Sequence, residues 1–139
     1  MTTKIKDRDF LFVRDIREYP NFYIKMFGHK TINKSLGVTV CFDDADEWLL
    51  VTHYGRLCGF CGYVMYSDSI HIKRAYVFGE YRGNRIYEEM IDLMLLKGAE
   101  AGKKTAKCAV NERYMPFFQR KGFTCTSCCK YYNRVEKKL

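Results

Sequence analysis

The 139-residue chain has only two prolines, one tryptophan and three histidines. No apolar run approaches the ~18 residues that a membrane-crossing helix needs. Two prolines and ten glycines argue against a linker-rich chain. Residues 1–9 are polar and charged and lack the apolar stretch of a secretory signal. Seven cysteines, an odd number, do not make a disulfide framework and suit a reducing compartment. A cytoplasmic protein with no membrane partner is the expectation.

Apolar residues are 47% of the chain and aromatics 16%, which argues against disorder. The length is enough to bury a core without staples, so residues 1–139 are expected to form one domain. The net charge is +8, from 24 Lys and Arg against 16 Asp and Glu. That balance favours an anionic partner such as nucleic acid, an acidic protein or a polyphosphate cofactor. The basic residues are scattered rather than massed in one run, which points to a small phosphate ligand before a polymer.

Apolar periodicity gives the order of elements. Residues 10–16 read as a strand, and residues 18–28 as a helix with Tyr19, Phe22, Tyr23, Met26 and Phe27 on one face, ended by Gly28. Residues 29–46 read as a loop or a short irregular helix and contain the acidic group Asp43, Asp44, Asp46 and Glu47. Strands over 48–54 and 57–66 are joined at Gly55-Arg56, and a third strand runs over 70–78. A helix from Asn84 to Ala101 buries Ile86, Met90, Leu93 and Met94 and closes at Gly102. A strand over 105–110, a helix over 112–121 and a last strand over 124–135 follow. A meander followed by alternating strands and helices predicts an α/β fold with a mixed, mostly antiparallel twisted sheet, flanked by helices, with a central strand-helix-strand crossover.

The densest chemical signal runs from Tyr76 to Phe123. It opens with YVFGEYRGNRIYEEM (Tyr76 to Met90) and closes with NERYMPFFQRKGF (Asn111 to Phe123). The first piece puts Arg82-Gly83 between an apolar strand and an amphipathic helix, where backbone N–H groups and a helix N-terminus meet an anion. Together the two pieces resemble the core motifs of the GNAT superfamily, the acyl-CoA-dependent N-acetyltransferases, in order and spacing. Readable likeness covers residues 48–135.

The resemblance implies acetyl-CoA as acyl donor and a primary amine of unknown identity as acceptor. Its pyrophosphate loop falls on Arg82, Gly83, Asn84, Arg85, Ile86 and Tyr87. Arg85 stands where the family's first signature glycine belongs and Tyr87 where the second belongs. Backbone amides bind phosphate whatever the side chain, provided the turn needs no positive φ at Arg85. Asn111 is placed against the pantetheine arm or as a helix cap. Phe118 occupies the position of the family's tyrosine acid, and Tyr114, one turn earlier, is the candidate substitute. The Val77 N–H is the candidate donor to the thioester carbonyl.

Counting back from Val77 with period two puts Ala75, Lys73 and His71 on one strand face. His71 then becomes the candidate general base, with His53 and Tyr54 behind it. The acidic group Asp43 to Glu47 is a candidate attractor of a cationic amine. Two CxxC pairs, Cys58/Cys61 and Cys125/Cys128, suggest zinc, but residues i and i+3 on a regular strand point to opposite faces, so no metal is expected. Arg85, Tyr87 and Phe118 leave open a second class: a catalytically inactive GNAT-fold module that binds a partner through a basic, aromatic surface. Nucleic acid is a third, weaker reading, from Lys130, Tyr131, Tyr132 and Arg134.

Overall fold

The computed structural model describes residues 7–139. The start of the chain, read above as lacking a signal, lies outside the described residues over 1–6. Seven strands make one sheet: β1 (Arg8–Val13), β2 (Glu47–His53), β3 (Arg56–Met65), β4 (Ser69–Val77), β5 (Thr105–Val110), β6 (Thr124–Cys128) and β7 (Asn133–Lys138). Their order is β1-β2-β3-β4-β5-β7-β6. Only β4 and β5 run parallel; every other neighbouring pair is antiparallel. Four helices complete the fold: α1 (Pro20–Met26), α2 (Lys30–Leu36), α3 (Ile86–Glu100) and α4 (Met115–Arg120).

Alternation along the strands creates two cores, one on each face. Leu49, Val51, Tyr63, Ile70, Ile72 and Val77 pack against Ile86, Met90 and Met94 of α3 and Phe118 of α4. On the other face Trp48, Leu50, Phe60 and Tyr76 pack against Met26 of α1, Ile32 of α2 and Val40. This second core reaches no further along the sheet than Tyr76 of β4. Beyond β4, the face opposite α3 has no apolar cover among the described residues.

α3 lies close on the sheet at Gly98, where an added Cβ would come within 2.6 Å of Ile70 Cγ2. The helix starts later than expected, at Ile86, and buries Ile91 and Gly98 in addition to Met90 and Met94, while Leu93 is only half-buried.

Several boundaries differ from the sequence reading. β1 ends at Val13, and Ile16–Glu18 form a short 3-10 turn capped by the Asp15 side chain. Residues 29–46 contain a regular helix, α2, closed by Gly37 in the left-handed conformation at φ 74°. The β2–β3 turn falls on Tyr54 and Gly55, both with positive φ (49° and 77°), one residue earlier than Gly55-Arg56. The helix over 112–121 begins as a 3-10 turn, Glu112–Tyr114. The single strand expected over 124–135 is a hairpin, with β7 inserted between β5 and β6.

Candidate active site

β4 and β5 pair only from Ser69 to Ile72 and from Thr105 to Cys108. Past that point the two strands part. β4 also carries one extra residue against β3: Phe60 faces Tyr76 and Gly62 faces Lys73, while Arg74 takes φ 55°. This bulge changes the phase of the strand. Ile70 and Ile72 before it, and Ala75 and Val77 after it, all belong to the α3-side core. His71 and Lys73 therefore face the other side. The period-two count that grouped them with Ala75 and Val77 is corrected by the bulge.

Phe78 N–H donates to the Cys58 carbonyl at 2.9 Å, on the β3 edge. Alternation then turns the Val77 N–H to the opposite edge, toward the gap left by β5. On that edge the Val77 carbonyl accepts from Arg82 Nε at 3.1 Å. The Arg82 guanidinium lies 5.6 Å from the centre of the Tyr76 ring, so this side chain folds back over the strand end.

The loop into α3 takes positive φ at Gly83 (84°) and Arg85 (61°). The condition set for Arg85 is therefore not met: it sits where glycine costs least and any other residue costs ~1–2 kcal/mol. Asn84 is buried, and its Nδ2 donates to the carbonyls of Tyr81 (3.0 Å) and Arg82 (3.4 Å), which fixes the loop from inside. Ile86 sends its side chain into the core, so only its backbone can serve a ligand. Arg85 supplies no side-chain cap, which leaves the first-turn N–H groups of α3 to solvent or a ligand.

Across the gap, Asn111 ends β5, and its Oδ1 accepts from the Arg113 N–H at 3.3 Å. The Tyr114 ring stacks on Tyr87 at 5.6 Å with 7° between planes. Burial, then the nearby thiols of Cys108 and Cys61 and the Tyr114 phenol, holds the Tyr87 phenol well above its ordinary pKa. Phe118 does not reach the gap. It is fully buried, edge-on to Phe117 (5.2 Å), Phe123 (5.1 Å) and Tyr87 (6.4 Å), so its assignment to cofactor binding is corrected to a core role.

The parted strands open a cleft of about 990 Å³. Val77, Arg82, Gly83, Arg85, Ile86, Tyr87, Asn111 and Tyr114 line it at one end, and His71, Lys73, Lys107 and Arg134 at the other. The end of α2 (Ser35 to Val38) and Tyr131-Tyr132 also line it. The His71 ring lies against Tyr66, tilted by 51° at 4.3 Å between centres. Burial, then Lys107, Lys73 and Arg134, holds its imidazole below the usual pKa. Cys108 lines the same cleft, its thiol pushed up to about 12 by burial.

Other sequence candidates lie elsewhere. His53 and Tyr54 sit at the β2–β3 turn outside the cleft lining, and the buried His53 Nδ1 has no hydrogen-bond partner among the described residues. The acidic group is largely structural: Asp44 pairs with Arg74 (3.0 Å), Asp46 accepts from Met65 N–H (2.9 Å), and Glu47 holds Lys97 (2.8 Å). The two CxxC pairs do not converge, because β3 and β6 are four strand steps apart, roughly 19 Å at about 4.8 Å per step. A bulge between Cys125 and Ser127 does bring Cys125 and Cys128 sulfurs to 3.6 Å, against the expectation that they face apart. Sequence reasoning missed Lys107 as a cleft residue; alternation in β5 (TAKCAV), with Ala106 and Val110 inward, was the signal for it.

No family model matches the sequence, and no curated protein matches it by sequence. The fold has clear counterparts among solved structures. A candidate N-acetyltransferase from Lactobacillus plantarum superposes with TM-score 0.80 at 12% identity, covering 96% of this chain and 99% of that one. An acetyltransferase of the GNAT family from Staphylococcus aureus Mu50 gives 0.69 at 13% identity, covering 94% and 99%. A GNAT family acetyltransferase from Elizabethkingia anophelis, solved with acetyl-CoA bound, gives 0.64 at 13% identity, covering 80% and 84%. The chain has the GNAT fold.

Proposed function

We propose that the protein is an acyl-CoA-dependent N-acyltransferase that moves an acetyl group from acetyl-CoA directly to a primary amine. The observation that carries this reading is the gap between β4 and β5, opening beside the uncapped N-terminus of α3. The amides of Gly83 to Tyr87 are suited to a pyrophosphate, and the Val77 N–H and Asn111 to the amide-bearing arm that would lie between the strands. Acetyl-CoA supplies a thioester carbonyl activated toward amines.

The spacing along β4 sets where the thioester would lie. His71 and Val77 are six residues apart, roughly 20 Å at about 3.3 Å per residue before the bulge shortens it. A base must reach its proton directly or through water. The pairing of a thioester carbonyl on the Val77 N–H with proton removal by His71 is therefore set aside. In the revised reading Val77 holds the arm, and the thioester extends past it to the bulge at Arg74, nearer His71. The amine nitrogen then bonds to the carbonyl carbon, the C–S bond breaks and CoA leaves as thiolate. The amine proton passes through water to His71, whose lowered pKa keeps it neutral at pH 7. Tyr114, the acid candidate, lines the Val77 end of the cleft against Tyr87, so in this reading it borders the arm and the thiolate takes its proton from water. Cys108 is too weakly acidic to be a covalent nucleophile at neutral pH, which favours direct transfer.

Calorimetric titration with acetyl-CoA and with CoA tests the cofactor part. Micromolar binding, weakened at least tenfold in Arg82→Ala, is expected. No binding at millimolar acetyl-CoA would sink the enzyme reading. It would favour the inactive binding module, for which the strained Arg85 and the buried Phe118 speak.

A further inference from the structure

The acceptor class can be read from charge, given the acyl-transfer reading above, on which this step rests. Beyond β4, the strands β5 and β7 are packed on the α3 side only. On its open face, register brings His71 of β4 beside Lys107 of β5, Lys107 beside Glu136 of β7, and Ala109 beside Arg134. Lys73 stands two residues along from His71 on the same face.

Among the described residues Glu136 is the one carboxylate that register puts on this face, 4.0 Å from Lys107 Nζ; the other carboxylate of the cleft lining, Glu88 of α3, pairs with Lys121 at 3.6 Å. Among the described residues neither Lys73 nor Arg134 has a carboxylate within ion-pair distance, and Arg134 bonds only the Tyr132 hydroxyl, at 3.4 Å. The neighbouring Arg74 is already paired with Asp44. Three cations and a largely neutral imidazole thus face one carboxylate across a concave wall.

We infer that this face takes an acceptor amine carrying its own anionic group, a carboxylate or a phosphate monoester, held by Lys73, Lys107 and Arg134. A polyamine or a lysine side chain would meet like charge here. An anionic amine gains a charge-assisted contact, and the same field disfavours its ammonium form and so favours the neutral nucleophile. The cleft of about 990 Å³, lined also by Ser35 to Val38 and Tyr131-Tyr132, suits a small molecule better than an extended polymer.

Two measurements on the intact protein decide this. In the first, inorganic phosphate and then acetate are titrated while backbone amide shifts are followed by NMR. The expectation is saturable shifts at Lys73, Lys107 and Arg134 that are lost in a Lys73→Gln/Arg134→Gln variant. Shifts confined to Gly83–Tyr87, or none at all, would overturn the proposal. In the second, thiol release from acetyl-CoA is measured with β-alanine against β-alaninamide, and with O-phosphoethanolamine against ethanolamine. At least one anionic member should exceed its neutral partner tenfold in kcat/KM, and the pair that does identifies carboxylate or phosphate. The double variant should bring that ratio toward one.

Equal or reversed ratios would overturn the anionic-acceptor proposal while leaving acyl transfer standing. Turnover of no amine, with an oligoribonucleotide shifting the same resonances at lower concentration, would overturn it in favour of a nucleic-acid platform. Failure of acetyl-CoA to bind in calorimetry is a separate result and removes the underlying reading instead.

Discussion

The two halves of the sheet are built differently. From β1 through β4, strands are covered on both faces, by α3 on one side and by α1 and α2 on the other. β5 and β7 are covered on the α3 side alone, and β6 is exposed along its length. The covered half is filled by Trp48, Leu49, Leu50, Phe60 and Met26, all essentially without solvent contact. The open half presents Lys107, Arg134 and Glu136 where the other half presents aromatic rings. The strand between them, β4, belongs to both: it pairs with β5 for four residues and then leaves it for the cleft. In this fold the doubly covered core and the open face fall in different halves, and the gap lies on the boundary.

The largest effect should come from emptying the covered half. Trp48 is buried, meets Phe27 and Phe60 edge-on, and donates its indole N–H to the Phe42 carbonyl at 3.0 Å. Trp48→Ala should cost about 3–5 kcal/mol in urea unfolding. Tyr131→Ala, on the open half, should change stability by no more than about 0.5 kcal/mol. Equal losses in the two variants would show that the open half is packed after all.

Next in size is the pH dependence of the reaction assigned to the open half. His71 shares its face with Lys73 on its own strand, with Lys107 and Glu136 beside it and Arg134 nearby, and its ring lies against Tyr66. Its pKa is lowered from 6.5 by burial first and then by the three cations. A base works only when unprotonated, and a lowered pKa moves its protonation to lower pH. The acid limb that His71 contributes to kcat/KM should therefore fall below pH 6.5. His71→Gln should remove that limb and slow the reaction on the order of 10²-fold. An unchanged limb in the variant would assign the proton to another group.

What was legible in the sequence follows the same division. The meander and α3 were readable because their apolar residues keep period two or 3.6 across a face that is buried. α2 was not, since KTINKSL offers only Ile32 and Leu36 as apolar positions and is defined instead by its Gly37 cap. The β6–β7 hairpin turns at Cys129 to Tyr132 without glycine or proline, the usual markers. The bulge at Arg74 left no trace because a non-glycine residue carries the positive φ, and so the face of His71 was misread. Spacing puts Phe118 at the tyrosine position of the resembling motif, but spacing along α4 does not say whether that position faces the gap or the core. Phe118→Tyr tests this directly: a hydroxyl buried among Phe117, Phe123 and Tyr87 should cost about 1–3 kcal/mol and leave kcat unchanged. A gain in kcat at unchanged stability would put position 118 back at the reacting atoms.

The smallest expected effect lies at the boundary itself, in the loop entering α3. Arg85 holds φ 61° without a side-chain cap to the helix. A left-handed non-glycine residue costs ~1–2 kcal/mol, and glycine gives back part of that through a freer unfolded chain, about 0.5–1 kcal/mol. Arg85→Gly should thus stabilise the fold by about 0.5 kcal/mol, read from the unfolding midpoint. Acetyl-CoA affinity discriminates what the side chain does. If the backbone amides of the turn hold the pyrophosphate, calorimetry should give an affinity within a few-fold of the parent. A much tighter complex would mean that the guanidinium obstructs the groove, and a much weaker one that it supplies a phosphate contact of its own, making Arg85 an adaptation of this chain's loop to an anion that other loops of this kind hold with glycine.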